Sequence, residues 1–186
     1  MSTHLIKLEE AGKRYLSRRF SVEISQNDFL LISGANGTGK TTLIMMILGF
    51  VYPDSGIIEK RKLKIGYVPE KVVLPPFVDV MEYLKTMARI KRDVINPALI
   101  HELEVPIDKK IYELSKGNQQ KLAVLTALMG KPHLLVLDEP LSGLDDDMKE
   151  IMVNIIKTTH HKGQSILIST HEPERFLDVC TKHLSL

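Results

Sequence analysis

The sequence predicts an α/β fold with a mostly parallel central sheet, and three observations predict it. Short apolar runs at 29–32, 134–137 and 165–169 alternate with longer helix-like segments, as in sheets covered by helices on both faces. The glycine-rich stretch Gly34-Ala35-Asn36-Gly37-Thr38-Gly39-Lys40-Thr41 lies between the first run and a helix-like segment that begins at Thr42. It reads G-x-x-x-x-G-K-[ST], the phosphate-binding loop pattern, in the strand–loop–helix context the pattern needs. Polar residues suited to chemistry follow the other two runs: Asp138 and Glu139, then His171.

The elements follow in order. Residues 5–8 and 20–24 read as short strands around a basic turn at 13–19, and 29–33 is the strand feeding the glycine loop. The helix after the loop stops near Gly49, a residue suited to a left-handed C-cap. Pro53-Asp54-Ser55-Gly56 is a turn, and 57–58 and 64–68 are strands; Pro75-Pro76 then breaks the chain. Asp79 with Glu82 predicts an acidic capping box on a helix to about residue 90. Asn96-Pro97 opens another helix with proline at its first position. Residues 103–112 are expected as loop. Ser115 is the expected N-cap of a helix to about 129, stopped by Gly130 and Pro132. The run 134–137 suits a central parallel strand. Asp145, Asp146 and Asp147 put negative charge at the head of a helix ending near Gly163. Residues 165–169 form a strand, 173–180 a last helix and 182–185 a closing strand. One domain spans 1–186, and its mainly helical stretch of about 70–130 reads as an inserted subdomain.

Bulk properties bound the function. The chain has 186 residues, 44% hydrophobic and 26% charged, with a net charge of +2. That suits one globular domain and gives no electrostatic footprint for nucleic acid. A lone cysteine, Cys180, excludes an internal disulfide and fits a reducing compartment. No signal-peptide core follows Met1, and the longest apolar run, 43–51, is far below the roughly 18 residues of a membrane span. A cytoplasmic location is expected. If the protein works at a membrane, another chain does the spanning.

The glycine loop allows successive N–H groups to curl around an anion, and the following helix N-terminus adds partial positive charge. Lys40 reaches outer phosphates, and Thr41 offers a hydroxyl to Mg²⁺. Hydrolysis further needs a metal carboxylate, a group acting on water and a contact to the terminal phosphate. Asp138, at the end of a core strand, is placed for the metal. Glu139 is placed to polarise or deprotonate water, against the bland reading of a solvated acidic turn before Pro140. His171 follows the strand at 165–169, on what should be the same sheet edge. The stretch Leu114-Ser115-Lys116-Gly117-Asn118-Gln119-Gln120-Lys121 opens a helix with a hydroxyl and a glycine turn, a second anion-binding arrangement. An ordinary capped helix would use the same Ser115 and Asn118. Two phosphate sites with one glycine loop suggest that the second serves a nucleotide held by another subunit.

In these motifs the chain resembles the ATPase subunit of an ABC transporter. Residues 34–41 match the family's Walker A loop, 134–139 its Walker B strand with the catalytic glutamate, and 114–121 its signature, usually LSGGQ. Asp145, in Ser142-Gly143-Leu144-Asp145, resembles the D-loop, His171 the switch histidine, and Tyr15 the aromatic that stacks on adenine. The resemblance spans nearly the whole chain with the motifs in the family's order. It implies a P-loop NTPase core with a small antiparallel β subdomain and a short helical subdomain. It also implies a head-to-tail dimer, with each ATP between Lys40 of one subunit and Ser115 and Gly117 of the other.

Phosphate contacts are then expected from Gly34, Asn36, Gly37, Thr38, Gly39, Lys40, Thr41 and Thr42, and trans contacts from Ser115, Lys116, Gly117 and Asn118. Metal contacts are expected from Thr41, Glu70 and Asp138. The membrane-spanning partner would dock around 70–90. The chain departs from the pattern at Glu70, where the family has glutamine, at Lys116 for a signature glycine, and at Asn118 for its glutamine. Export is the expected direction, since the compact chain and the Glu70 departure resemble small exporter-type ATPases, with a soluble assembly ATPase as the alternative. Elsewhere bland readings stand: His160-His161 ends a helix, Met45-Met46 is core, the cations at 18–19 and 60–64 are solvated, and Cys180 is buried.

Overall fold

A computed structural model describes residues 4–186. Two sheets carry the fold. The larger has five parallel strands: β3 (Phe29–Ser33), β5 (Ile65–Val68), β6 (Leu134–Asp138), β7 (Ser165–Ser169) and β8 (Lys182–Ser185), in the order β5-β6-β7-β3-β8. The smaller is antiparallel: β1 (His4–Gly12) lies between β2 (Phe20–Ser25) and β4 (Ser55–Lys60).

The central strands are buried along their whole length, so both faces need apolar partners, and period-two alternation deals them out. Leu30, Ile32, Leu134, Val136 and Leu167 face β1, β2 and helix α1 (Lys40–Leu48). Phe29, Leu31, Leu135, Leu137, Ile166 and Ile168 face α2 (Val80–Lys91), α4 (Lys116–Leu128) and α5 (Asp146–His161). On α1, Leu43, Ile44, Met46 and Ile47 are at most 1% exposed. Full burial of such a side chain is worth about 1.5–3 kcal/mol. Gly49 closes α1 at φ 86, its N–H bonded to the Met45 and Met46 carbonyls. Short α3 (Pro97–Glu102) starts as expected, with Asn96 accepting from the Leu99 N–H at 3.2 Å.

Several expectations change. Ser55 and Gly56 belong to β4, not to a turn, because β1 passes very close. A Cβ on Gly56 would lie 2.2 Å from the Glu10 carbonyl oxygen, and its φ is +78°. The capping box of Asp79 is not made, since that side chain makes no cap bond. The Val80 N–H is taken instead by the Lys109 carbonyl at 3.0 Å, within a bridge between Asp79 and Lys110. Residues 173–180 do not form an α-helix. A 3-10 turn, Pro173–Arg175, is followed by tight turns that bury Phe176 against Phe29, with ring centroids 5.8 Å apart. The chain must reach β8 at once, and the Thr181 N–H is already bonded to the Phe29 carbonyl. Cys180 is half-buried rather than buried. His160 does more than end α5: its ring meets Phe29 edge-on at 5.2 Å.

The order β6-β7-β3 positions the site. Asp138 pairs in register with Ser169, and Ser169 with Ile32. The glycine loop, the carboxylate pair and His171 therefore leave the C-terminal ends of three adjacent strands, the ligand edge of an open parallel sheet. Among the described residues no helix is long and apolar enough to cross a membrane.

Candidate nucleotide site

A cleft of about 510 Å³ opens at that edge, lined by Tyr15, Leu16, Asn36, Gly37, Gly39, Lys40, Thr41, Thr42, Glu70, Asp138, Glu139 and His171. Its floor is the glycine loop. Gly37 and Gly39 sit at φ 81° and 102°, backbone that only glycine adopts freely. The turn is held by the Thr38 hydroxyl and N–H, both donating to the Ala35 carbonyl, at 2.8 and 3.4 Å. Lys40, the first residue of α1, is 8% exposed. Its ammonium donates back to the Gly34 and Ala35 carbonyls at 2.6 and 3.2 Å. The free N–H groups of α1, the lysine and the loop amides favour an anion here.

The wall is acidic. Asp138 is 2% exposed, and one oxygen accepts from the Ser169 hydroxyl. Burial pushes its carboxyl up, against that bond, and Glu70 adds to the rise. Glu139 is also pushed up by burial, with the His171 ring opposing. His171 Nε2 stands 3.3 Å from Glu139 Oε1, and the His171 N–H donates to Oε2 at 3.3 Å. Oε1 is buried and makes no hydrogen bond of good geometry among the described residues. A buried carboxylate oxygen met only by a ring nitrogen at poor geometry is open to a water molecule or a cation. Thr41, Glu70 and Asp138 offer hard oxygen ligands into the same cleft, the donor set that Mg²⁺ takes. These residues fit the ion.

The second stretch is elsewhere. Ser115, Lys116, Gly117 and Asn118 do not line the cleft. Ser115 caps α4 by accepting from the Asn118 N–H at 3.2 Å, and Lys116 donates to the Ser142 hydroxyl at 3.1 Å. Ser115 and Lys116 are exposed. Asp145 caps α5, accepting from the Met148 N–H at 2.9 Å. Tyr15 is at the cleft mouth, 68% exposed, on a turn fixed by Asp54, which pairs with Lys13 at 2.6 Å and accepts from the Arg14 N–H.

Three residues escaped the sequence reading. Ser169 bridges the acidic pair, donating to Asp138 and accepting from the Glu139 N–H at 3.3 Å; its place at the end of a core strand was the signal. Leu16 closes the cleft beside Tyr15. The Tyr67 hydroxyl is buried without a hydrogen bond among the described residues. Burial first, and then the Asp138 charge, push that phenol up to about 12. Nothing in the local pattern around Tyr67 distinguished it from a packing residue.

Comparison with known proteins identifies the family. Residues 17–142 match the family model described as ABC transporter. An uncharacterised ABC transporter ATP-binding protein of Bacillus subtilis is 36% identical, over 86% of this chain and 59% of its own length. The zinc import ATP-binding protein ZnuC of Acinetobacter baylyi is 32% identical, over 92% of this chain and 70% of its own. The Nod factor export ATP-binding protein I of Burkholderia orbicola is 34% identical, over 96% and 67%. The chain thus spans between 59% and 70% of the length of these three relatives. A solved ATP-binding cassette, dimeric and bound to ADP and Pi, superposes with a TM-score of 0.78 over 91% of this chain and 89% of its own, at 21% identity. At that identity it speaks for the fold. With the family model matched over most of its length and relatives more than 30% identical, the chain belongs to the ABC transporter family.

Proposed function

We propose that this chain is the ATPase subunit of a membrane transporter and works as a head-to-tail pair around two ATP molecules. The observation that carries the pairing is the separation just described. The glycine-loop cleft gathers Lys40, Asp138, Glu139 and His171, while the second phosphate-binding turn, at Ser115, lies outside it with its polar groups exposed. One chain therefore offers two half-sites. The solved cassette of the same fold bound to ADP and Pi is itself dimeric, which is consistent with pairing.

In this reading the amides from Gly34 to Thr42 and the Lys40 ammonium hold the phosphates, and Tyr15 stacks on adenine. Thr41, Asp138 and Glu70 would hold Mg²⁺, which supplies charge neutralisation on the outer phosphates. Glu139 takes the proton as a water oxygen bonds to the terminal phosphorus and the bond to the leaving diphosphate breaks. Its raised proton affinity suits a base, and His171 orients it and meets the terminal phosphate. Ser115, Lys116, Gly117 and Asn118 close on the other subunit's nucleotide, with Asp145 beside them at the interface. Residues 70–130 act as the inserted helical subdomain of the single domain 1–186.

The membrane-spanning partner docks around 70–90. Val73 and Phe77 there are 89% and 82% exposed, and Phe77 packs on Tyr112 with centroids 6.3 Å apart. Exposed aromatics in a cluster mark contact surfaces. The protein then sits peripherally on the cytoplasmic face, with no nucleic-acid partner. Export is the finer reading, from the Glu70 departure; the named relatives include both a zinc import and a Nod factor export protein.

Purification of the tagged protein from its own membranes in gentle detergent tests this. A stoichiometric polytopic chain is the expected companion. Soluble partners alone would move the assignment to an assembly ATPase.

A further inference from the structure

We propose that α4 positions the Glu139 carboxylate of its own chain, with Gln120 and Lys116 as the positioning residues. The proposal rests on Glu139 being the base of the proposed reaction.

Glu139 adopts φ 52°, left-handed backbone that a side chain bearing a Cβ occupies only when its surroundings hold it there. On its amino side β7 holds it: the Glu139 N–H meets the Ser169 carbonyl at 3.1 Å and the Ser169 hydroxyl at 3.3 Å. On its carboxyl side the hold comes from α4. The Glu139 carbonyl accepts from the Gln120 side-chain amide at 3.4 Å and from the Ser142 N–H at 3.1 Å. Ser142 is tied in turn to α4 by the Lys116 ammonium. Between these two ties the backbones touch. A Cβ on Gly117 would lie 2.6 Å from the Gly143 carbonyl oxygen.

Gln120 and Lys116 are otherwise badly placed. Gln120 is 1% exposed in a stretch of α4 where Leu122, Ala123 and Val124 are buried too, and an amide without a partner is penalised there. A cation at the first residue of a helix opposes its dipole. Both side chains make sense as clamps on the 139–144 turn. A mechanical link follows. The helix whose N-cap is Ser115 also fixes Glu139, so a contact made at Ser115 by one nucleotide is transmitted to the carboxylate serving the other.

Steady-state ATP hydrolysis tests the clamp. Gln120→Leu removes the donor and keeps the volume. We expect kcat to fall about 10-fold or more, as misplacement of a reacting group does, with KM for ATP within about 2-fold and no fall in Tm, a split a general packing defect would not give. Lys116→Met and Ser142→Ala should each lower kcat, and Lys116→Met should cost less in the Ser142→Ala background than in the parent, because both remove one contact while any contact of Lys116 with the other subunit's nucleotide is lost equally in both backgrounds. Lys116→Arg should restore the rate. An unchanged kcat in Gln120→Leu, or a parallel loss of kcat, KM and Tm, overturns the proposal. If Gln120→Leu does not fold, the Lys116/Ser142 pair decides alone: additive losses, or none, overturn it. Glu139→Gln is the control for the underlying reading. If that variant still turns over ATP at the full rate, the assignment of the base has failed rather than the clamp.

Discussion

In the proposed function the cleft at the ends of β3, β6 and β7 and the first turn of α4 both meet phosphate, yet their polar groups are in different states. In the cleft, Glu139 Oε1 is buried without a hydrogen bond among the described residues, and the Asp138 carboxyl is raised by burial. The Lys40 ammonium is turned onto its own loop. At α4, Ser115 and Lys116 are exposed and already bonded to Asn118 and Ser142. The first region carries electrostatic cost that a ligand and cation would relieve. The second is solvent-exposed with its side chains already paired, and in the proposed pairing its ligand is brought by the other subunit. Removing the cation of the first should therefore strike binding, whereas substitutions in the second should spare binding and lower turnover.

The largest expected effect is at Lys40. Lys40→Ala removes the one lysine ammonium that lines the cleft among the described residues, and a buried charge pair lost in this way costs about 2–5 kcal/mol. ATP affinity, read by calorimetric titration, should fall at least about 100-fold. Unchanged affinity would place the nucleotide elsewhere and end the comparison.

Ser115 should break the other half. Ser115→Ala should leave ATP affinity of the isolated chain unchanged while turnover falls about 10-fold, the loss expected of a contact made with the transferring group. The same change removes the N-cap of α4, worth about 1 kcal/mol, so Tm would drop too. Ser115→Asp separates the two effects. Aspartate caps as well as serine but repels phosphate, so Tm should hold and turnover should still be lost. Equal loss of affinity in the monomer would mean that the two regions form one site within a single chain.

This division was partly legible in the sequence. The motif at 34–41 and the pair Asp138-Glu139 were visible because phosphate and metal chemistry restrict residue types locally. Their convergence was visible too, because fully apolar runs imply parallel strands that end on one edge. Local pattern gave no sign of contacts between distant elements. The burial of the Tyr67 hydroxyl near Asp138 depends on how β5 packs beside β6. The fate of residues 173–180 depends on Phe29, which claims both Phe176 and the Thr181 N–H. Gly56 read as a turn glycine because nothing nearby in the sequence announced the Glu10 carbonyl above it.

Asp138 turns the comparison into a stability measurement. Its carboxyl is raised in the folded chain, so the folded state holds the proton more tightly than the unfolded one. The stability this confers is present below the unfolded value, about pH 4, and is lost as pH rises through the raised value. Asp138→Asn removes the charge and keeps a partner for Ser169. We expect its Tm, by calorimetry without nucleotide, to exceed that of the parent at pH 7, by about 2–4 °C for each kcal/mol relieved in a chain of this size. The gain should vanish near pH 4, and Mg²⁺-dependent turnover should be lost. No gain at pH 7 would show that the cleft stores no such cost.

Tyr15 should give the smallest effect, and it tests where the cleft ends. The ring is 68% exposed on the turn anchored by Lys13 and Asp54, so its removal costs little packing. Base stacking on an aromatic side chain is worth about 1–3 kcal/mol when the pair is well covered. With one face in solvent, Tyr15→Ala should weaken ATP about 5-fold, and Tyr15→Phe should change nothing, since the ring alone does the work. A stacking surface discriminates poorly among bases, so ATP and GTP affinities should fall together in Tyr15→Ala. A selective loss of ATP would instead require hydrogen-bond readout of the base. The polar groups beside Tyr15, the Lys13 ammonium and the Arg14 N–H, are already engaged by Asp54, and that leaves stacking as the contact the turn can offer.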